Sequence, residues 1–267
     1  MKKLSLFLLS LLVVMIACKK SGSDNSTPVL DGKTCKILTM SSTQTGYSSF
    51  AWFYYNSSGN LLYTKSTSSQ LLGDTSIGTQ YKYLGDILQY AWFNSNVNFS
   101  DTVFYFFDGS NKLKNTLEHN RTGTTLLSTK TDYFYNSSNQ VIHTLARSTM
   151  NTAFSKVDSI IYSYTGNNVT RYTLFERTGY GNVFSVTIDI SYDSMKNFYK
   201  AMGMPPDAFY FWSENNMTKA KYADSTNVLT TFIYSKYNES GYPTEYTQID
   251  NYSSQGPTSI VMMYQCQ

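Results

Sequence analysis

Along most of the chain, aromatic and branched aliphatic residues alternate with Ser, Thr and Asn at a period of two. The cleanest run is Phe184, Val186, Ile188 and Ile190, with Ser185, Thr187, Asp189 and Ser191 between them. Tyr133 and Tyr135 share one parity, as do Ile160, Tyr162 and Tyr164. This period marks strands with one buried and one wetted face, as in antiparallel sheets. The runs end at similar punctuation. Phe53-Tyr-Tyr-Asn-Ser-Ser-Gly-Asn-Leu-Leu-Tyr63, Phe104-Tyr-Phe-Phe-Asp-Gly-Ser-Asn-Lys-Leu113 and Tyr133-Phe-Tyr-Asn-Ser-Ser-Asn-Gln-Val-Ile142 are clear copies. Ile160–Val169, Ile188–Asp193 and Phe232–Tyr242 follow the same plan, and Tyr81–Leu88 is a weaker copy. Asn, Asp and Gly occupy the positions where a positive φ costs little.

The aromatic residues ahead of these turns are Tyr55, Tyr83, Phe107, Tyr135, Tyr164, Tyr192 and Tyr237. Up to Tyr192 they recur about every 24–29 residues, the length of two strands and their connections. The expected fold is therefore all-β: a large antiparallel meander of repeated hairpins with about 14–16 strands. So wide a sheet must curve strongly or become barrel-like, and a closed barrel of this size needs a plug or holds a cavity. Thr, Ser, Asn and Lys among the outward aromatics predict a soluble domain rather than a membrane-spanning one, since a spanning barrel needs a continuous apolar band. The best helical candidate, Ser194 to Met204, is broken by Gly203 and closed by Pro205-Pro206. It is expected to be a loop or short helical turn, a lid packed across an open end of the sheet.

The N-terminus has a different character. Lys2 and Lys3 precede an apolar run from Leu4 to Ala17 that meets Cys18. This is a signal-peptide pattern, too short for a permanent membrane helix. Met15-Ile16-Ala17-Cys18 resembles a bacterial lipobox, which implies cleavage before Cys18 and acylation of its thiol. Lys19 to Pro28 then reads as a flexible tether. The expected organisation is a signal peptide over 1–17, acylated Cys18 and tether over 18–33, and a single all-β domain over 34–267. Lys19 beside the anchor resembles the signal for export to the outer membrane, facing either the periplasm or the outside.

Composition narrows the function. The chain is 41% hydrophobic, 16% aromatic and 15% charged, which excludes a coiled coil and a disordered chain. Loss of Lys2 and Lys3 takes 21 basic side chains to 19 against 18 acidic ones, so the formal +3 falls to +1. Scattered basic residues without a stripe exclude a nucleic-acid partner. Beyond Cys18, Cys35 and Cys266 stand at opposite ends of the domain, a candidate disulfide or two buried thiols. No metal or other cofactor is expected, because His119 and His143 stand apart with no cysteine pair nearby.

No phosphate-binding loop, dinucleotide fingerprint, nucleophile elbow or His-Glu-x-x-His pair occurs. Asp189 and Asp193 on one continuous strand face would lie about 13 Å apart, too far for a glycosidase pair. Asp193 is expected to cap a turn. The remaining candidates are aromatic. Ala51-Trp52-Phe53 and Ala91-Trp92-Phe93 repeat, and Phe211-Trp212 adds a third tryptophan. Trp52, Trp92 and Trp212 could stack on sugar rings, although strand tryptophans are more often core. A non-catalytic binder of glycan, peptide or another envelope protein is the leading expectation; a hydrolase of unfamiliar layout and a structural scaffold are the alternatives.

The hairpins at 53–62, 133–142 and 160–169 resemble those of Bacteroidota cell-envelope lipoproteins of unknown function, which are assigned a porin-like many-stranded β domain. Tyr192-Asp193, Asn197-Phe198 and Ser213-Glu-Asn-Asn216 are similar to a segment of that family, with Phe198 where the family has Pro. The resemblance implies an envelope lipoprotein and brings no catalytic residues, cofactor or ligand. It also implies candidate O-glycosylation at Thr102 in Asp101-Thr-Val103 and at Ser159 in Asp158-Ser-Ile160.

Overall fold

A computed structural model describes residues 33–69, 77–95, 99–122, 124–150, 153–178, 183–205, 207–252 and 256–267. The proposed signal peptide, Cys18 and most of the tether lie outside them. The first eight strands are β1 (Cys35–Gln44), β2 (Tyr47–Tyr55), β3 (Leu61–Ser68), β4 (Ile77–Leu84), β5 (Ile87–Ser95), β6 (Phe99–Phe107), β7 (Leu113–Thr122) and β8 (Thr125–Tyr135). There follow β9 (Val141–Met150), β10 (Ala153–Thr165), β11 (Asn168–Thr178), β12 (Val183–Lys196), β13 (Asn215–Tyr222), β14 (Val228–Tyr237), β15 (Pro243–Asp250) and β16 (Thr258–Cys266). Between β12 and β13 the chain forms two short helices, α1 (Phe198–Met202) and α2 (Phe209–Trp212).

Each strand pairs antiparallel with its sequence neighbours, and β1 pairs with β16, so the sixteen strands found among the described residues form a closed barrel. The strongly curved or barrel-like meander expected from the sequence is corrected by that seam to a fully closed barrel. It runs from Cys35 opposite Cys266 to Thr43 opposite Ser259. Thr34 and Gln267 extend it with reciprocal backbone bonds of 3.2 and 3.0 Å. Closure removes both free edges, which a sheet this wide would otherwise expose. The contrast drawn with outer-membrane barrels is corrected as well. An even number of antiparallel strands, joined in order and closed edge to edge, is the architecture of that class.

The recurrent Asx-led turns form one end of the barrel. Asn56, Asp108, Asn136 and Asn238 each accept bonds through a side-chain oxygen from backbone N–H groups two or four residues on. The Asn136 bonds, from Ser138 and Gln140, are 2.9 Å each. Three residues after each Asx stands the left-handed residue: Gly59, Asn111, Asn139 or Gly241. Gly or Asn is needed there because other side chains clash in that conformation. Every ladder from an even-numbered strand to the strand after it also contains a bulge close to this end. Bulges sharpen the twist and help the sheet bend into a barrel.

The tyrosines ahead of the turns point into the lumen, and most act as staples. Tyr55 donates its hydroxyl to the carbonyl of Ile37, Tyr135 to Leu113, Tyr164 to Val141, Tyr192 to Val169, Tyr234 to Met217 and Tyr264 to Pro243, all at 2.7–2.9 Å. Each therefore ties the end of an even strand to the start of the strand before it. On β14 the staple is Tyr234, not Tyr237, the aromatic residue ahead of that turn. Tyr237 donates instead to Asp193 at 2.9 Å.

A sixteen-stranded barrel is wide enough to leave an aqueous channel. Here the wall turns Tyr81, Tyr105, Tyr133, Tyr162 and Tyr246 inward, and all are buried. The segment between β12 and β13 fills the space among them: Phe198 is 1% exposed, and Tyr199, Met202 and Phe211 are also buried. The expected lid is thus a plug packed inside the barrel, because its apolar side chains have the lumen to fill. The outer wall carries both Tyr54, Phe106, Phe134 and Ile161, which are well exposed, and ion pairs such as Arg171–Asp189 at 2.6 Å and Lys130–Asp132 at 2.8 Å.

Candidate binding site

The plug is held by a polar frame. Asp193 Oδ1 accepts from the N–H groups of Met195 (2.9 Å) and Asn216 (3.1 Å), while Oδ2 accepts from Tyr237 and from Asn216 Nδ2. Asp193 therefore joins the strand entering the plug to the strand leaving it, instead of capping a hairpin turn. Asn197 caps α1 by accepting from the Tyr199 N–H at 3.0 Å and donates to the carbonyls of Tyr210 and Ser213. The Phe198 N–H donates to Asn216 Oδ1 at 3.0 Å. A proline at 198 could not make that bond, so this chain's departure from the resembled segment has a structural counterpart.

Between this frame and the turns of three hairpins lies a pocket of about 460 Å³, within the size range of small-molecule sites. Phe107, Leu113, Tyr135, Val141, Tyr164 and Trp212 supply its apolar lining. Asn111, Ser138, Asn139, Gln140 and Asn167 supply polar groups, and Lys112, Lys200 and Glu214 supply charge. The tyrosine staples fix two of the walls, since Tyr135 and Tyr164 are each tied to a neighbouring strand. Trp212 meets Tyr133 and Tyr162 edge to face, with ring centroids 6.3 and 5.0 Å apart. That orientation is fixed by packing, which preorganises the indole. Gln140 Nε2 donates to the Gly166 carbonyl at 2.7 Å and links two of the turns.

The three tryptophans do not meet. Trp52 and Trp92 sit on the outer wall, with inward Ala51 and Ala91 beside them. Trp52 packs on Phe50 at 3.9 Å, with the Lys65 ammonium over its ring. Only Trp212 reaches the pocket. The pocket residues missed by sequence reasoning are the turn amides, whose local role in the hairpins hid a second one. Thr102 and Ser159 occupy outer-wall strand positions, and Ser159 Oγ lies 2.9 Å from His143 Nε2. Cys35 and Cys266 are disulfide-bonded across the seam.

A different group of carboxyls faces the lumen. Asp101, on β6, is 7% exposed, and Glu118 on β7 shares its face of the wall. Asp207, in the plug, accepts from the Tyr105 hydroxyl at 3.1 Å, and burial raises its pKa to about 6. None of these acids lines the pocket. Among the described residues no cluster of His, Cys, Asp and Glu is arranged to hold a metal.

No protein-family pattern matches the sequence, and no curated protein matches it. The fold does match solved structures. A porin-like protein from Bacteroides uniformis ATCC 8492 is 12% identical, with a TM-score of 0.56, over 86% of this chain and 98% of that one. A porin-like protein from Bacteroides vulgatus ATCC 8482 is 13% identical, with a TM-score of 0.55, over the same shares. At these identities the likeness is one of fold: a porin-like, many-stranded β-barrel.

Proposed function

We propose that this chain is a non-catalytic barrel protein of the bacterial outer membrane, lipid-anchored through Cys18, and that it binds a saccharide at its plugged mouth. The porin-like likeness supports the envelope setting, and the lipobox-like residues before Cys18 support the anchor. The observation that carries the binding role is the pocket itself: aromatic faces with a surround of amides, held by the barrel's own turns. Flat aromatic surfaces match the apolar faces of sugar rings, and amide groups match their hydroxyls. The aromatic filling of the lumen favours binding over passage of solutes.

A glycan array probed with the purified full-length chain tests this reading. Binding that Asn167→Ala and Gln140→Ala weaken, and that Trp52→Ala leaves unchanged, supports it. No binding to any glycan, or binding that depends on Trp52 and not on the pocket, refutes it. Metabolic labelling with a palmitate analogue, lost in Cys18→Ser, tests the anchor.

A further inference from the structure

We infer that the mouth pocket selects acidic sugars, those bearing a carboxylate, over neutral ones; this rests on the saccharide reading above and names its ligand class. The charged groups are unequally committed. Glu214 already accepts a 3.0 Å bond from Asn167 Nδ2. Asp108, in the nearest turn, spends Oδ1 on the N–H groups of Ser110 and Lys112 at 2.8 and 3.0 Å. Lys112 donates to Asn139 Oδ1 and sits 5.8 Å from the centre of the Tyr135 ring. The Lys200 ammonium has no protein partner among the described residues, although its backbone N–H is bonded within the α1 cap.

Two lysines thus line the pocket against one acidic residue, Glu214, and Lys200, whose ammonium has no protein partner among the described residues, stands on the plug. A bound carboxylate would give Lys200 its missing acceptor. The aromatic and amide lining would hold the ring bearing that carboxylate. Charge-assisted bonds are about twice as strong as neutral ones. Lys200 belongs to α1, whose cap is fixed by Asn197, so the ammonium is displayed from an ordered element.

The test is calorimetric titration of the full chain with digalacturonate and with neutral galactobiose, at low and high salt. The expected result is binding of the uronate about tenfold tighter than the neutral sugar, with the difference shrinking as salt rises. Lys200→Gln is expected to remove most of that preference while leaving the far-ultraviolet spectrum unchanged. Equal affinity for the two sugars, or an acid preference that survives both Lys200→Gln and Lys112→Gln, would overturn the inference and leave the saccharide reading standing. Failure of both sugars, with no glycan bound on the array, would remove the reading itself.

Discussion

Replacement of Tyr164 by Phe isolates the staple that the hairpin repeat builds. The substitution keeps the ring and deletes only the hydroxyl that donates to Val141 O at 2.8 Å. The net worth of such a bond is about 1 kcal/mol. Val141 is 5% exposed, so its carbonyl is poorly placed to recover the bond from water, and part of the desolvation cost of about 1–3 kcal/mol adds to the loss. The expected destabilisation is about 1–2 kcal/mol. Tyr83 provides the control, because it holds the same place in the repeat and its hydroxyl makes no such bond among the described residues. Tyr83→Phe should change stability by less than about 0.5 kcal/mol. Urea unfolding followed by tryptophan fluorescence reads both. With a slope near 3 kcal/mol/M, Tyr164→Phe lowers the midpoint by roughly 0.5 M at unchanged slope. Equal midpoints for the two variants would refute the staple as a source of stability.

Other perturbations follow from the same geometry. Asn136→Ala removes the acceptor of two turn N–H groups and should cost about 1 kcal/mol, whereas Asn139→Gly at φ 63° should be neutral or slightly stabilising; thermal denaturation distinguishes them. Double Cys35→Ser and Cys266→Ser releases a closure spanning 231 residues and should cost about 2–5 kcal/mol, read as a lower unfolding midpoint that reductant no longer shifts. Asp207, in the plug, binds its proton more tightly folded than unfolded. Its contribution to stability is therefore fully present below about pH 4, declines as pH rises towards about 6, and is absent above. Asp207→Asn should flatten stability against pH across that window, and an unchanged slope would show that the burial of Asp207 does not govern it.

Much of the architecture was legible because one local rule repeats. An aromatic residue that faces inward is followed by an Asx acceptor and a left-handed Gly or Asn in the turns at Asn56, Asp108, Asn136 and Asn238, and directly by left-handed Gly85 or Gly166 in two others, so the order is written in the sequence. Closure was not legible. The β1–β16 pairing joins the two ends of the domain, and nothing local in either strand names its partner. The outward placement of Trp52 could have been read from parity, since Ala51 and Phe53 share the face opposite to it. The site itself was only partly legible. Trp212 was singled out, but Lys200 and the turn amides of Asn111, Asn139 and Asn167 meet it only once the plug enters the barrel. Asp193 misled because its neighbour Tyr192 follows the hairpin rule while the chain beyond it turns inward.

Hydroxyl-radical footprinting of the full-length chain, with and without digalacturonate, tests most directly whether this is a plugged barrel that binds at its mouth. Phe198, Tyr199 and Tyr133 should resist modification in both states, Tyr54 should react in both, and Trp212 should react when free and become protected at saturation. Lumenal aromatics reacting as readily as Tyr54, or Trp212 unaffected by saturating ligand, would contradict it.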